Sequence, residues 1–401
     1  MMKYLKKTKL VAALGSAALA ASLSAPANAA IVLGGEDGWE VSYGGFVNLF
    51  YTQSDWDYGS GVSEDSTHLN EGLLPAFHTM TVKTPEVNGL RGTAQITFAP
   101  DSSGEKGGRL NKSGVAGTSS RIDMREVFFN VEGDFGTISA GNTLALFNRH
   151  AILKDYTLFG VGAMASPDGG GTTLGRIGYG YVYPDFRTRF TYKTPNINGF
   201  DMEVGIFDPQ EPLGSAVGAS ETDSPQFQAE LNYRTDMEGG NIHIWSSFLW
   251  QEQEITLTGG GTDDSESFGW NIGADLNFGG FNLMGTYYDG EALGTHLFNI
   301  SGAGDAGCSA TACVESDNDG FIIQGAYTFN GKTKVGVSFG ESTETPSGGS
   351  KVTNSLWTVG VYHDVNSWLK VIAEYGSADT EAAVFGPAEH DVFSIGGFLL
   401  W

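Results

Sequence analysis

Trp39-Glu40-Val41-Ser42-Tyr43-Gly44-Gly45-Phe46-Val47-Asn48-Leu49-Phe50-Tyr51 is the stretch whose alternation decides the fold. Its odd positions carry Trp, Val, Tyr, Gly, Val, Leu and Tyr, while its even positions include Glu, Ser, Gly and Asn. Successive side chains of a strand point to opposite faces, so one face of this segment suits hydrocarbon and the other suits water. The same period returns along the chain. Leu90 to Phe98 places Leu, Gly, Ala, Ile and Phe on one face and Arg91, Thr93, Gln95 and Thr97 on the other. Further segments behave alike at Phe186 to Tyr192, Phe227 to Tyr233, Ile242 to Trp250, Trp270 to Phe278, Phe281 to Tyr287, Phe321 to Phe329, Val335 to Phe339, Leu356 to Tyr362 and Leu369 to Tyr375. A tilted strand crosses a bilayer in about 9 to 11 residues, close to the length of these segments.

The connections alternate in length. Short ones fall at Pro85 to Gly89, Gly133 to Gly136, Pro195 to Gly199, Asp236 to Gly240, Gly279-Gly280, Asn330-Gly331 and Asn366-Ser367. Long polar ones fall at 54–72, 101–119, 145–175, 210–222, 256–266, 290–318, 341–353 and 378–388. Seven short turns and eight long loops join sixteen strands. Short turns on one side and long loops on the other define an all-β, transmembrane antiparallel barrel, with its turns in the periplasm and its loops outside. A soluble sandwich also has many short strands, but gives no reason for this alternation or for aromatic residues at so many strand ends.

The amino terminus supports export. Lys3, Lys6, Lys7 and Lys9 precede an apolar run from Leu10 to Leu23 and the small-x-small site Ala27-Asn28-Ala29. That is a secretory signal peptide over 1–29, cut after Ala29, with the barrel filling 30–401. Its apolar run is too short to span a bilayer as a helix, and no later stretch reaches 18 uninterrupted apolar residues. Without the signal lysines, 18 basic residues face 47 acidic ones, a charge of −29. Such a chain does not bind nucleic acid through phosphates. The charge reads as a solvated acidic exterior or as a mouth that concentrates cations.

Cys308 and Cys313 are the only cysteines, close together in a Gly/Ala/Ser segment. In an exported chain they predict a disulfide clip on an outer loop. Asp305, Asp317 and Asp319 nearby fit no calcium-loop spacing, and no metal site or cofactor is expected. No catalytic constellation is visible either. There is no Gly-x-Ser-x-Gly elbow and no His-Glu-x-x-His pair, and the seven histidines are scattered.

Three segments carry a family resemblance. Tyr192-Lys193-Thr194-Pro195-Asn196-Ile197-Asn198-Gly199-Phe200 is similar to the strand-turn-strand element Tyr-x-Ser/Thr-Pro-x-x-x-Gly-Phe of the general porins, the sixteen-stranded trimeric diffusion channels of Gram-negative outer membranes. Val82-Lys83-Thr84-Pro85-Glu86-Val87-Asn88-Gly89-Leu90 repeats it, and Arg125 to Ile138 resembles that family's fourth strand, turn and fifth strand. The ending Phe393-Ser394-Ile395-Gly396-Gly397-Phe398-Leu399-Leu400-Trp401 resembles the C-terminal segment read by the barrel assembly machinery, with Phe393, Ile395, Leu399 and Trp401 as the signal.

The resemblance implies a water-filled pore for passive diffusion of small hydrophilic solutes and ions, a homotrimer, and contact with outer-membrane lipid and lipopolysaccharide. It also implies that the segment Leu144 to Gly175 folds into the barrel and narrows it. Leu144, Phe147 and Ile152 hint at a short helix there, and Asp155 and Asp168 are its candidate acids. Alternation puts Arg187, Arg189 and Lys193 on the lumenal face of their strand, and Arg125 matches a wall arginine of the fourth strand. A charge facing lipid costs roughly 2 to 4 kcal/mol at the midplane, so these six residues form the expected constriction. One departure is Gly141-Asn142 where the family has Gly-Arg, which reads as one lumenal charge fewer, with Arg149 as a possible substitute. A substrate-selective channel for a sugar or phosphate is the alternative within the class, and an adhesin or receptor the alternative outside it.

Overall fold

Asn88-Gly89 and Asn198-Gly199, the turns of the repeated Thr-Pro motif, all have left-handed backbones, with φ of 54°, 76°, 55° and 94°. Asn and Gly tolerate that region, so each motif reverses the chain where a bulkier residue would be strained. In both copies the threonine hydroxyl accepts a backbone N–H from across the hairpin: Thr84 from Gly92 at 2.8 Å and Thr194 from Met202 at 3.0 Å.

The computed structural model describes residues 30–59, 61–100, 122–169, 171–210, 217–221, 224–257, 259–295, 312, 314–346, 351–382 and 388–401. The signal segment 1–29 and both Cys308 and Cys313 lie outside the described residues. The strands are β1 Ile31–Gly34, β2 Glu40–Asp57, β3 Ser63–Asn70, β4 Phe77–Lys83, β5 Arg91–Pro100, β6 Ile122–Gly133, β7 Gly136–Leu144, β8 Phe186–Lys193, β9 Phe200–Phe207, β10 Val217–Glu221, β11 Gln226–Met237, β12 Gly240–Leu257, β13 Thr262–Phe278, β14 Phe281–Glu291, β15 Asp317–Phe329, β16 Thr333–Thr345, β17 Val352–Asp364, β18 Leu369–Ala382 and β19 Ala388–Leu400.

Neighbours pair antiparallel all the way round, and β19 closes the ring on β2 from Leu400↔Phe46 to Glu389↔Asp57. The wall has sixteen crossings, because β3 and β4 both pair with β2 and make one interrupted crossing, while β1 and β10 are short additions. Closure satisfies every edge, which hydrocarbon requires. All seven expected short turns join consecutive strands. Several stretches expected to be loops are instead strand. The first, 54–72, is largely the upper part of β2 and β3, and 256–266 is the top of the β12–β13 hairpin. Their polar residues gave no apolar alternation, yet ladder hydrogen bonds continue into water without it.

Alternation sorts the faces as expected. On β2, Val47, Leu49 and Tyr51 are exposed on the outside, while Asn48, Phe50 and Thr52 are buried inside. The lumen is not empty. Residues 145–185 enter it and pack Ile152, Tyr156, Leu158, Val161 and Ile177 against inward side chains of β2, β15, β17, β18 and β19, among them Phe50, Ile322, Leu356, Ile372 and Phe398. Residues 71–76 leave the wall and meet this insert: Leu73 N–H donates to the Gly160 carbonyl at 2.9 Å and Thr173 N–H to that of Gly72 at 3.0 Å. Asn48 spans the interrupted crossing by accepting from Gly72 N–H and donating to the Leu74 carbonyl, both at 2.9 Å.

Candidate functional site

The insert carries the expected helix, α1 Arg149–Lys154, followed by a 3-10 turn Tyr156–Phe159 that Asp155 caps. Its apolar side chains pack mainly on β2, β15 and β17 to β19, while its first residues, Leu146 and Phe147, cluster with Phe207 of β9 and Leu249 of β12. A small cavity of about 70 Å³ lies between α1 and the wall strands β6 to β9. Glu126, Phe128 and Asn130 line it from β6, and Thr137, Ser139 and Thr143 from β7. Arg189, Thr191 and Lys193 line it from β8, Glu203 from β9, and Arg149 and Leu153 from the insert. A second cavity of about 390 Å³ opens among the short turns; Thr137 and Lys193 border both. The two together trace an off-axis passage down one wall.

Ion pairs bind the insert to this wall. Arg149 meets Glu203 at 2.8 Å and Glu230 at 2.6 Å. Burial opposes a charge on Arg149, but the two carboxylates outweigh it and hold the guanidinium firmly protonated. Burial also lowers the His150 pKa, with its ring nitrogen 3.1 Å from Glu230 working the other way. Lys154 reaches Asp275 at 2.7 Å. Arg189 lies 3.5 Å from Glu203, and Lys193 lies 3.3 Å from Asp201, which also takes Arg234 at 2.8 Å.

The six residues expected at the constriction are dispersed. Arg189 and Lys193 line the passage. Arg187 faces inward but sits higher, donating to the Asp208 carbonyl and to Gln210. Arg125 is buried between the rings of Phe77 and Phe186, 5.8 and 5.6 Å away, and pairs with Asp123 at 3.0 Å. Asp155 is turned away from the wall arginines. It faces Arg176 of the same insert at 3.7 Å and accepts from Thr157 and Tyr181. Asp168 is exposed near β3, where the neighbouring Pro167 carbonyl meets His68 at 2.8 Å. Among the described residues neither aspartate pairs with Arg125, Arg187 or Arg189, so the expected opposition of loop acids and wall bases is corrected. The acids facing the passage come from the wall, and the insert contributes a base, because Asp155 is consumed inside its own segment.

Position 142 is a second correction. Asn142 pairs with the outward Val127 and donates to the Arg125 carbonyl at 2.6 Å, so its register is not lumenal and its neutrality removes no lumenal charge. Arg149 does line the passage. The reading of single strands missed Glu126, Asp201, Glu203 and Glu230, although a carboxylate within a lipid-crossing strand is itself a signal for the lumen.

A closed sixteen-crossing barrel with an apolar exterior and a charged, narrowed lumen is a membrane channel. The chain belongs to the Gram-negative porin family, whose model matches residues 15–383. It is therefore an outer-membrane channel for passive diffusion. No curated protein matches it in sequence. Among solved structures it resembles the anion-selective porin from Comamonas acidovorans, at 15% identity and a TM-score of 0.62 over 90% of this chain and 100% of that one. It also resembles the outer membrane channel DcaP of Acinetobacter baumannii, at 10% identity and 0.65 over 92% and 99%, and OmpF of Salmonella typhi, at 11% and 0.56 over 90% and 98%. These likenesses show the shared fold.

Proposed function

We propose that small hydrophilic solutes and ions cross through the passage between α1 and β6 to β9, with residues 145–185 as the constriction. The observation that supports this is that the two cavities adjoin, with Thr137 and Lys193 lining both. In this reading Arg149, Arg189 and Lys193 face solute. Arg125, Asp155 and Arg187 hold the insert and the strand ends in place, and Asp168 sits at the outer rim. Solute class follows from polarity: a narrow passage lined by hydroxyls and charges keeps polar solutes hydrated and penalises apolar ones.

The mature chain starts at Ala30 and assembles as a homotrimer, as a Vibrio cholerae outer membrane protein of similar fold does in its trimer form. Insertion by the barrel assembly machinery and contact with lipopolysaccharide complete the reading. Purified protein added to a planar bilayer should give stepwise, ohmic conductance without an energy source. Folded protein that inserts but never conducts would instead favour an adhesin or receptor.

A further inference from the structure

Four glutamines on the lumenal side of β11 and β12 bond head to tail. Gln226, Gln228, Gln251 and Gln253 are each no more than 3% exposed. Gln228 Nε2 donates to Gln226 Oε1 at 2.5 Å, Gln226 Nε2 to Gln251 Oε1 at 2.9 Å, and Gln251 Nε2 to Gln253 Oε1 at 3.0 Å. At one end Gln228 Oε1 accepts Leu146 and Phe147 N–H at the root of the insert, both at 2.8 Å. Toward the other end Gln251 holds both backbone groups of Gln210, just beyond β9. It accepts that residue's N–H at 3.0 Å and donates to its carbonyl at 2.8 Å. Gln210 in turn accepts from Arg187 through its side chain.

A backbone N–H can only donate and a carbonyl can only accept, so each end dictates which way its amide turns. The insert requires the Gln228 oxygen, which sends the Gln228 nitrogen toward Gln226. Gln210 requires the Gln251 oxygen at its N–H and the Gln251 nitrogen at its carbonyl. The two demands agree, and Gln226 between them satisfies both in one orientation. Reversing any one amide sets N–H against N–H and oxygen against oxygen in a buried place, where an unmade hydrogen bond is costly. The amides therefore turn together or not at all. That gives the two ends a shared two-state element, the physical requirement for coupling between them.

We infer that this chain couples the outer-loop segment at Gln210 to the root of the constricting insert. Gln251, which among the described residues bonds to no residue of the insert, is then a positioning residue for it. The inference rests on residues 145–185 being the constriction. Coupling is reciprocal, so loosening either end loosens the other.

The test is residue-resolved hydrogen exchange on the folded channel, read together with single-channel current. Gln251→Leu removes the link to Gln210 and should speed exchange of the Leu146 and Phe147 amides on the order of ten-fold, within the usual range of coupling. Gln226→Leu cuts the chain in the middle and should do the same. The double variant should do no more than either, since a chain is broken once. Gln253→Leu removes only the terminal acceptor and should leave both amides near their wild-type rate. A purely local role for Gln251 would loosen Gln210 and leave Leu146 and Phe147 protected, which overturns the inference, as do effects that add in the double variant. If a variant fails to fold, wild-type protein decides. Its Leu146, Phe147 and Gln210 amides should open as one unit, and a Gln210 amide that exchanges freely while the other two stay protected overturns the coupling. Faster exchange with added current noise supports the coupling and the constriction together. Faster exchange at an unchanged current supports the coupling and overturns the constriction alone.

Discussion

Arg125 and Glu126 are consecutive, yet both face the lumen. The ladder between β5 and β6 slips here: Thr97 pairs with Glu126 and Phe98 with Met124, leaving Arg125 as the extra residue of a bulge. A bulge re-aims a side chain that plain alternation would send to lipid. Arg176 is a second residue whose role depends on distant partners. It is fully buried, donates to the carbonyls of Leu356 at 2.8 Å and Ser338 at 2.9 Å and to Thr358 Oγ1 at 2.7 Å, and faces Asp155. Arg176→Leu removes those bonds and leaves Asp155 buried without its cation, a loss on the order of 3 to 5 kcal/mol. The barrel ladders are untouched, so far-UV circular dichroism should be unchanged while single-channel conductance rises and becomes noisier. Wild-type conductance and noise would show that Arg176 does not fasten the insert. For Cys308 and Cys313 the expected outcome is no labelling by a thiol reagent before reduction and two labels after it. Labelling of unreduced native protein at both positions would exclude the disulfide.

Among the elements, the insert and the last strand carry separate consequences. The insert is clamped by bonds from wall side chains: Gln228 accepts Leu146 and Phe147 N–H, both at 2.8 Å, and Glu374 accepts Val161 N–H at 2.6 Å. Such multiple anchoring makes it part of the lumen, unlike an ordinary exposed loop. Replacing 149–175 by a short Gly/Ser link should raise single-channel conductance severalfold; an unchanged value would place the insert outside the conducting path. The final strand ends with Trp401 exchanging backbone hydrogen bonds with Gly45, at 2.9 and 3.0 Å, and resting its ring 5.9 Å from Tyr43 and 5.2 Å from His78. Phe393, Ile395 and Leu399 are exposed on the outward face. Removing Trp401 should lower the amount of folded protein in the outer membrane, measured by heat-modifiable gel mobility. Equal folded yield would reduce the ending to an ordinary strand.

For the whole molecule, assembly as a trimer predicts that unheated detergent extracts migrate at about three times the monomer mass and collapse to monomer on boiling. A monomer in mild detergent by mass photometry would contradict it. The architecture was legible from sequence because a barrel wall is a local code. Period-two alternation in Trp39 to Tyr51 fixed faces, and Asn-Gly turns such as Asn88-Gly89 fixed hairpins, since both depend only on neighbouring residues. Arg189 and Lys193 were legible for the same reason, as charges that a lipid-facing register would not tolerate. The tertiary structure alone decided which charges meet. Asp155 meets Arg176 rather than a wall arginine because the insert packs on itself. Arg149 finds Glu203 and Glu230, 54 and 81 residues away in the chain. Arg125 faces the lumen beside Glu126 because a one-residue slip against β5 breaks the local code. Alternation carries no information about partners across a lumen; those are set by where the closed wall and its insert bring distant side chains together.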